Sequence, residues 1–369
     1  MTRSLSADGL RAVRLRAQLL AGRPADDTLA VVTRLGGLQA QSGSAARLGI
    51  RVRTSGLTAD DVNRATAEKP TVVRTWAMRG TLHMVPAVDV RWMVELLGPV
   101  FIKRGQRRRE QLGLDDRTCQ RGLDAIEAVL TGESPLTRAS LVDRIAEHGV
   151  LIDPRSQAPA HLVAYAAMQG LICRGPDVEH DEPTYVLLDE WISPSPSRDR
   201  DEALAELARR YIIGHAPATA ADFATWSGLP AADVSTAFGL LEHELIEVQV
   251  ARVRMVALTE AQLAVPVVSP ARLLGHFDAY LLGYRGRDLI LESRYRKRIQ
   301  AGGGMIQPAV LAGGLVVGTW RLGRPAKRAQ LVVEPFATLS RSVRDSLRAE
   351  ADDIARFLGI DIAFEVSPA

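Results

Sequence analysis

The chain has 369 residues, 47% of them hydrophobic and 24% charged, which is enough apolar material for two or three folded domains and excludes a disordered chain. A formal net charge of +3 with a pI near 9.0 does not by itself demand a nucleic-acid partner, so the distribution of arginine matters more than the total. Two cysteines, Cys119 and Cys173, exclude a disulfide framework or a four-thiolate cluster, and the seven histidines lack ligand spacing, so no metal is assigned.

The first segment reads as helical. Leu10, Val13, Ala17 and Leu20 share one helical face, Asp26-Asp27 can cap a second helix running toward Leu35, and Gly36-Gly37 then breaks it. Arg11, Arg14 and Arg16 interrupt the apolar residues, so no secretory signal is expected at the N-terminus. No apolar run spans a bilayer, and a soluble, cytoplasmic protein is expected. A third helix can start near Ser42, which leaves Gln39-Ala40-Gln41 at a helix-to-helix junction. Side chains at i and i+2 of an extended or turning backbone leave on one face, so both amides could reach one buried water. The competing reading has them tie helix ends together. Segments 72–76 and 81–85, joined through Gly80, read as a β-hairpin wing with Trp76 in its core.

The run 103–109 carries five positive residues within seven: Lys103, Arg104, Arg107, Arg108 and Arg109. Phosphate binding stands there beside a solvated helix face. Linkers are read over 112–116 and 193–199, the second being the clearer boundary. A weak repeat follows: Pro135-Leu136-Thr137-Arg138-Ala139 and Pro217-Ala218-Thr219-Ala220-Ala221 share Pro-x-Thr-x-Ala, and each precedes a second helix and two apolar strands. Helix, helix, strand, turn, strand is the winged-helix plan. His180-Asp181-Glu182, between Pro176 and Pro183, reads as a solvated turn and not as a ligand set. After Ala261 the pattern turns to strands, over 267–268, 275–284 and 289–292, with Asp278 interrupting an apolar stretch as a second candidate carboxylate or a buried Asp held by backbone or arginine. Arg294-Tyr295-Arg296-Lys297-Arg298 is a second basic run, with Arg296, Lys297 and Arg298 as phosphate candidates. Gly302-Gly303-Gly304 comes next, and Gly313-Gly314 sits between strands as a tight hairpin needing positive φ. A helix over 339–358 covers the sheet through Val343, Leu347, Ile354 and Leu358.

Four stretches carry a resemblance along nearly the whole chain: Gln39-Ala40-Gln41, Met78-Arg79-Gly80-Thr81-Leu82-His83-Met84-Val85-Pro86, Phe277-Asp278-Ala279-Tyr280-Leu281-Leu282-Gly283-Tyr284-Arg285, and Val316-Val317-Gly318-Thr319-Trp320-Arg321. In order and separation they resemble the winged-helix DNA glycosylases of the AlkZ/YcaQ type. The Gln-x-Gln pair is similar to the AlkZ branch, associated with bulky or crosslinked N7-alkylguanine, whereas Gln-x-Asp marks the other. The resemblance implies an α+β, mainly helical fold with three tandem winged-helix domains (1–112, 113–198, 199–260) and a C-terminal β-rich portion (261–369), C-shaped around a DNA channel. It implies a monofunctional glycosylase acting on double-stranded DNA with alkylated purines, without cofactor, membrane or obligate protein partner, and nucleoid-associated if bacterial. Gln39 and Gln41 take the catalytic positions. Arg79, His83 and Asp278 become possible site-lining residues, His83 standing equally as a core histidine. The Gly313-Gly314 hairpin becomes a groove probe or an ordinary sheet edge. Two rivals remain: a non-catalytic winged-helix regulator, and a glycosylase for simple alkylpurine monoadducts.

Overall fold

In the computed structural model, which describes residues 3–67, 70–178, 181–194, 196–265, 270–323 and 328–368, helices start where capping side chains were legible. His180 of the expected turn and the strand expected over 267–268 lie outside the described residues. The Asp27 carboxylate accepts from Ala30 N to open helix Thr28–Leu35, and Gly36, at φ 67°, closes it in the left-handed region. Ser42 accepts from Ala45 N to open Gly43–Arg51. Such caps contribute about 1 kcal/mol each by satisfying an amide that has no intrahelical partner.

The repeated Pro-x-Thr-x-Ala has a physical meaning. Thr137 and Thr219 are both N-caps, of helices Arg138–Glu147 and Ala220–Ser227, and Asp222 completes a capping box in the second. The residue before each threonine pairs antiparallel with the strand closing the following hairpin: Leu136 with Tyr185, and Ala218 with Val256. Each motif thus stitches its first helix to its own hairpin.

The chain is mixed α+β and divides into two compact units, Met1–Val62 with Ala205–Ala369, and Asn63–Leu204. In the first unit, strand Arg3–Leu5 runs parallel to Ile246–Val250, which pairs antiparallel with Val253–Ala257. Its C-terminal sheet has the order Arg272–Leu274, Ala309–Ala312, Leu315–Leu322, Ala329–Pro335, Ile362–Val366, antiparallel except for the last pair. Helix Arg341–Leu358 makes that parallel crossover and buries Leu347, Ala351 and Ile354 against Leu273, Trp320 and Leu331. Where a strand was expected over 275–284, the chain forms only strand Arg272–Leu274 and then the short helix Ala279–Leu282, because Asp278 caps it by accepting from Tyr280 N.

In the second unit, hairpin Val72–Trp76 and Leu82–Pro86 forms as expected. Strand Val72–Trp76 also pairs with Ile172–Val178, placing two hairpins in one sheet. Helices Asp116–Leu130, Arg138–Glu147 and Ala158–Met168 pack on it through Ile126, Leu141, Ile145 and Leu162. Cys119 and Cys173 are buried free thiols, and burial pushes Cys173 up to about 12. Among the described residues no helix is long and apolar enough to cross a membrane.

Candidate active site

Gln39 ends the two-residue strand Leu38–Gln39, Ala40 is buried, and Gln41 is exposed immediately before the Ser42 cap. The i, i+2 geometry holds: Gln39 Nε2 donates to Gln41 Oε1 at 2.6 Å. The pair is therefore in direct contact, with Gln39 half-buried and Gln41 exposed. A primary amide has donor and acceptor capacity beyond a single bond. Leu38 packs on Gly49 of the following helix, and Ser42 caps that helix directly after the pair. An exposed, preorganised amide pair can orient a water, and it cannot act as a strong base or acid.

Arg79 and His83 belong to the other unit. Arg79 sits in the turn of the hairpin at φ 58°, a backbone conformation unusual for a side chain with a Cβ. His83 is buried; its Nδ1 donates to Thr81 O at 2.8 Å, and Nε2 lies 3.4 Å from Arg79 Nη2, so the neutral ring accepts from the guanidinium. Burial first, then Arg79, push the imidazole down to about 3, and burial pulls Arg79 down to about 10. His83 is thus neutral and oriented at physiological pH, with Nε2 an acceptor, and is not a general acid. Because its folded pKa lies below the ordinary 6.5, the unfolded chain binds the proton more readily in the window between. Stability is full above 6.5 and is lost as pH falls toward 3, at up to about 1.4 kcal/mol per pH unit. Urea titrations at pH 4 and pH 7 should show this acid loss, and His83→Gln should reduce its slope by about one proton; equal slopes would remove His83 from the account.

Asp278 does not line an open site. It is buried and bidentate to Arg53, with Oδ1 to Nη2 at 2.7 Å and Oδ2 to Nη1 at 2.8 Å. Arg53 is itself fully buried and donates to Gln18 O and Gly49 O. The apolar context that drew attention to Asp278 reflects this structural pair.

The basic runs differ in detail from a uniform phosphate surface. Lys103, Arg104, Arg107 and Arg108 are exposed on helix Val90–Gln111. Arg109 is buried, donates to Ile102 O at 2.8 Å and lies over the Tyr165 ring at 4.7 Å, which withdraws it from the phosphate candidates. Helical spacing explains this: Phe101, Gly105 and Arg109 recur every fourth residue, and a Cβ on Gly105 would lie 3.0 Å from the Arg109 guanidinium. In the second run Arg296 pairs with Asp288 at 2.6 Å and Arg298 with Glu334 at 3.8 Å, both exposed, and Lys297 is exposed beside them. Exposed pairs of this kind contribute at most about 1 kcal/mol and exchange readily for a phosphate. Tyr295 stacks on Phe336 at 4.2 Å, flanked by the guanidiniums of Arg294 and Arg298.

Gly313 and Gly314 form the expected two-residue turn at φ 56° and 78°. The turn is docked on one side: Gly314 O accepts from Tyr280 Oη at 3.0 Å, and a Cβ on Gly314 would lie 3.1 Å from the Arg11 Cβ, whereas Gly313 is exposed with open space around it. The hairpin that stands clear is Gln300–Gly302 with Met305–Ile306, whose Gly302, Gly303 and Gly304 all have positive φ and open space around them. Met305 there is 41% exposed, and the basic helix Arg296–Ile299 leads directly into this hairpin. The Gly302-Gly303-Gly304 run is the sequence signal for this hairpin, since its positive φ angles favour glycine.

Known proteins resemble this chain along nearly its whole length. A family model described as DNA glycosylase AlkZ-like matches residues 32–357. The Interstrand DNA cross-link repair glycosylase of Streptomyces sahachiroi is 30% identical over 364 residues, covering 94% of this chain and 95% of that protein. Among solved structures, Streptomyces sahachiroi DNA glycosylase AlkZ matches with a TM-score of 0.82 and 27% identity, over 100% of both chains. The protein is thus an enzyme of the DNA glycosylase class, with DNA as its substrate. Within that class the chain belongs to the AlkZ-like DNA glycosylase family.

Proposed function

We propose that the protein hydrolyses the N-glycosidic bond of cationic N7-alkylguanine in duplex DNA, including bulky and interstrand-crosslinked adducts, and leaves an abasic site. The observation that carries this reading is the exposed Gln39–Gln41 amide pair, in contact at 2.6 Å and lacking a carboxylate at the second position. N7-alkylation already places positive charge on the base. As the C1′–N9 bond breaks, its electron pair neutralises that charge, so the base leaves without being protonated. Water adds to C1′ and its proton passes to solvent. What catalysis must supply is the position of the water and stabilisation of an oxocarbenium-like sugar, which amide dipoles provide. A base tethered to the opposite strand cannot rotate fully out of the stack, and an open site suits it better than an enclosing pocket. The crosslink-repair name of the relative supports the same range of substrates.

The helix, helix, hairpin repeat supports winged-helix modules over 113–198 and 199–260, with a first over 1–112 and a β-rich portion over 261–369. The exposed hairpin Gln300–Gly302 with Met305–Ile306 is the better candidate for a groove probe than the docked Gly313-Gly314 turn. Such an enzyme works in the cytoplasm, on the nucleoid if the cell is bacterial. Purified protein and duplex DNA with one N7-alkylguanine, followed by alkaline scission at abasic sites, test the reading with no cofactor or protein partner added. Strand scission above the spontaneous background supports it; tight, sequence-selective binding without scission turns it toward a regulator.

Phosphate contacts are assigned to Lys103, Arg104, Arg107, Arg108, Arg296, Lys297 and Arg298. Arg107→Ala with Arg108→Ala should weaken binding to damaged and undamaged duplex alike, and flatten the log affinity against log salt slope by about 0.9 for each phosphate no longer neutralised. An unchanged slope in an equilibrium salt titration returns both to a solvated face. Arg109→Ala should instead lower stability, since it removes a buried hydrogen bond and a cation over a ring.

A further inference from the structure

A cleft of about 340 Å³ opens in the unit that carries Gln39 and Gln41, and the hydrolysis described above uses none of its residues. One wall is the helix that begins directly after Gln41: Ala45 and Leu48 of Gly43–Arg51 face the space. Trp320 and Leu358 add apolar surface, and His276 and Gln307 add polar groups. Trp320 Nε1 already donates to Leu274 O at 2.8 Å, so its indole offers the cleft ring surface and no donor. His276 Nδ1 donates to Ile306 O at 3.0 Å, so Nε2 is the ring nitrogen left to meet a group in the cleft. Ile306 is the last residue of the exposed hairpin, so this bond couples the cleft to that hairpin. The volume reaches the range of small-molecule sites, which starts at about 300 Å³, and the lining has their usual composition of apolar walls with a few polar groups.

Chain geometry ties the cleft to the amides. Ser44, at its rim, follows Gln41 by three residues, so their Cα atoms lie no more than about 11 Å apart. In guanine, N7 and N9 share one five-membered ring, so a substituent on N7 begins a single ring-width from the bond that is cut. We infer that this cleft receives the substituent carried by N7 of the damaged guanine, favouring a flat, largely apolar group with a hydrogen-bond donor that can meet His276. The inference rests on the N7-alkylguanine reading. It assigns adduct preference to Leu48, Trp320 and His276, separately from the water-positioning amides.

The test compares two duplexes identical but for one residue, N7-methylguanine or N7-(naphthylmethyl)guanine, in single-turnover release and in equilibrium binding. Leu48→Trp fills the cleft and should lower the ratio of naphthylmethyl to methyl release at least tenfold; Leu48→Ala should hold or raise it. Ser44→Trp, at the exposed rim, repeats the test on a position where an added ring cannot overpack the core. If both tryptophan variants remain folded and keep the wild-type ratio, the inference is overturned. If wild type releases neither base, the function reading fails on its own. The cleft is then judged by affinity: tighter wild-type binding of the naphthylmethyl duplex that Leu48→Trp abolishes supports it, and equal binding of both duplexes overturns it.

Discussion

Gln39→Ala and Gln41→Ala are each expected to slow single-turnover base release by about 100-fold, a loss of about 2.7 kcal/mol of transition-state stabilisation, while duplex affinity stays within about threefold. The split follows from geometry. The amides touch each other at 2.6 Å on a loop fixed by the Ser42 cap, and neither carries charge with which to hold a phosphate. On the proposed mechanism, their loss removes orientation of the attacking water and leaves DNA binding to the exposed arginines. Release rates at saturating enzyme, with affinity measured by fluorescence anisotropy, separate the two effects. Wild-type release by both variants would take the motif out of the mechanism. Gln41→Asp is more discriminating: a carboxylate there stabilises the sugar cation, so small adducts should still be released while bulky ones slow. Loss of every activity would show that Gln41 donates through its amide nitrogen, which an aspartate cannot do.

The second large effect is on stability. Asp278→Ala should destabilise the chain by about 3–5 kcal/mol, because Arg53 would remain buried with its charge uncompensated. The geometry leaves little room for water to compensate, since the two side chains are 0% and 1% exposed and the guanidinium is also bound by Gln18 O and Gly49 O. Asp278 further caps Ala279–Leu282, whose Tyr280 holds the Gly313-Gly314 turn, so the damage should spread along that hydrogen-bonded series. Paired replacement, Arg53→Met with Asp278→Leu, should cost less than Asp278→Ala alone, since no orphan charge remains. Urea midpoints at unchanged m-value measure this. A loss of activity in Asp278→Ala with wild-type stability would instead restore Asp278 as a site carboxylate.

Several features are legible in the sequence because they are local. Gly36-Gly37 ends a helix, Asp27 and Ser42 begin helices, and Thr137 and Thr219 cap the two repeat helices, each through a backbone amide within three residues. The i, i+2 contact of Gln39 and Gln41 is local in the same sense, as is the positive φ of Gly313 and Gly314. Family membership is also legible, because the motifs are spread along the whole chain in a fixed order.

Other features depend on partners distant in sequence. Arg109 reads as one more cation in a basic run until the Tyr165 ring, from another helix, covers it. Asp278 reads as a candidate acid until Arg53, 225 residues away, claims both its oxygens. Nothing near Gly313-Gly314 announces that Tyr280 and Arg11 pack Gly314 while all three glycines of the Gly302-Gly303-Gly304 hairpin have open space around them. By itself, then, the sequence determined where the side-chain-capped helices begin, that the two amides share a face, and the family. Only the tertiary structure decided which charges are buried and paired and which hairpin is exposed, because desolvation and long-range packing depend on neighbours that no short window of sequence contains.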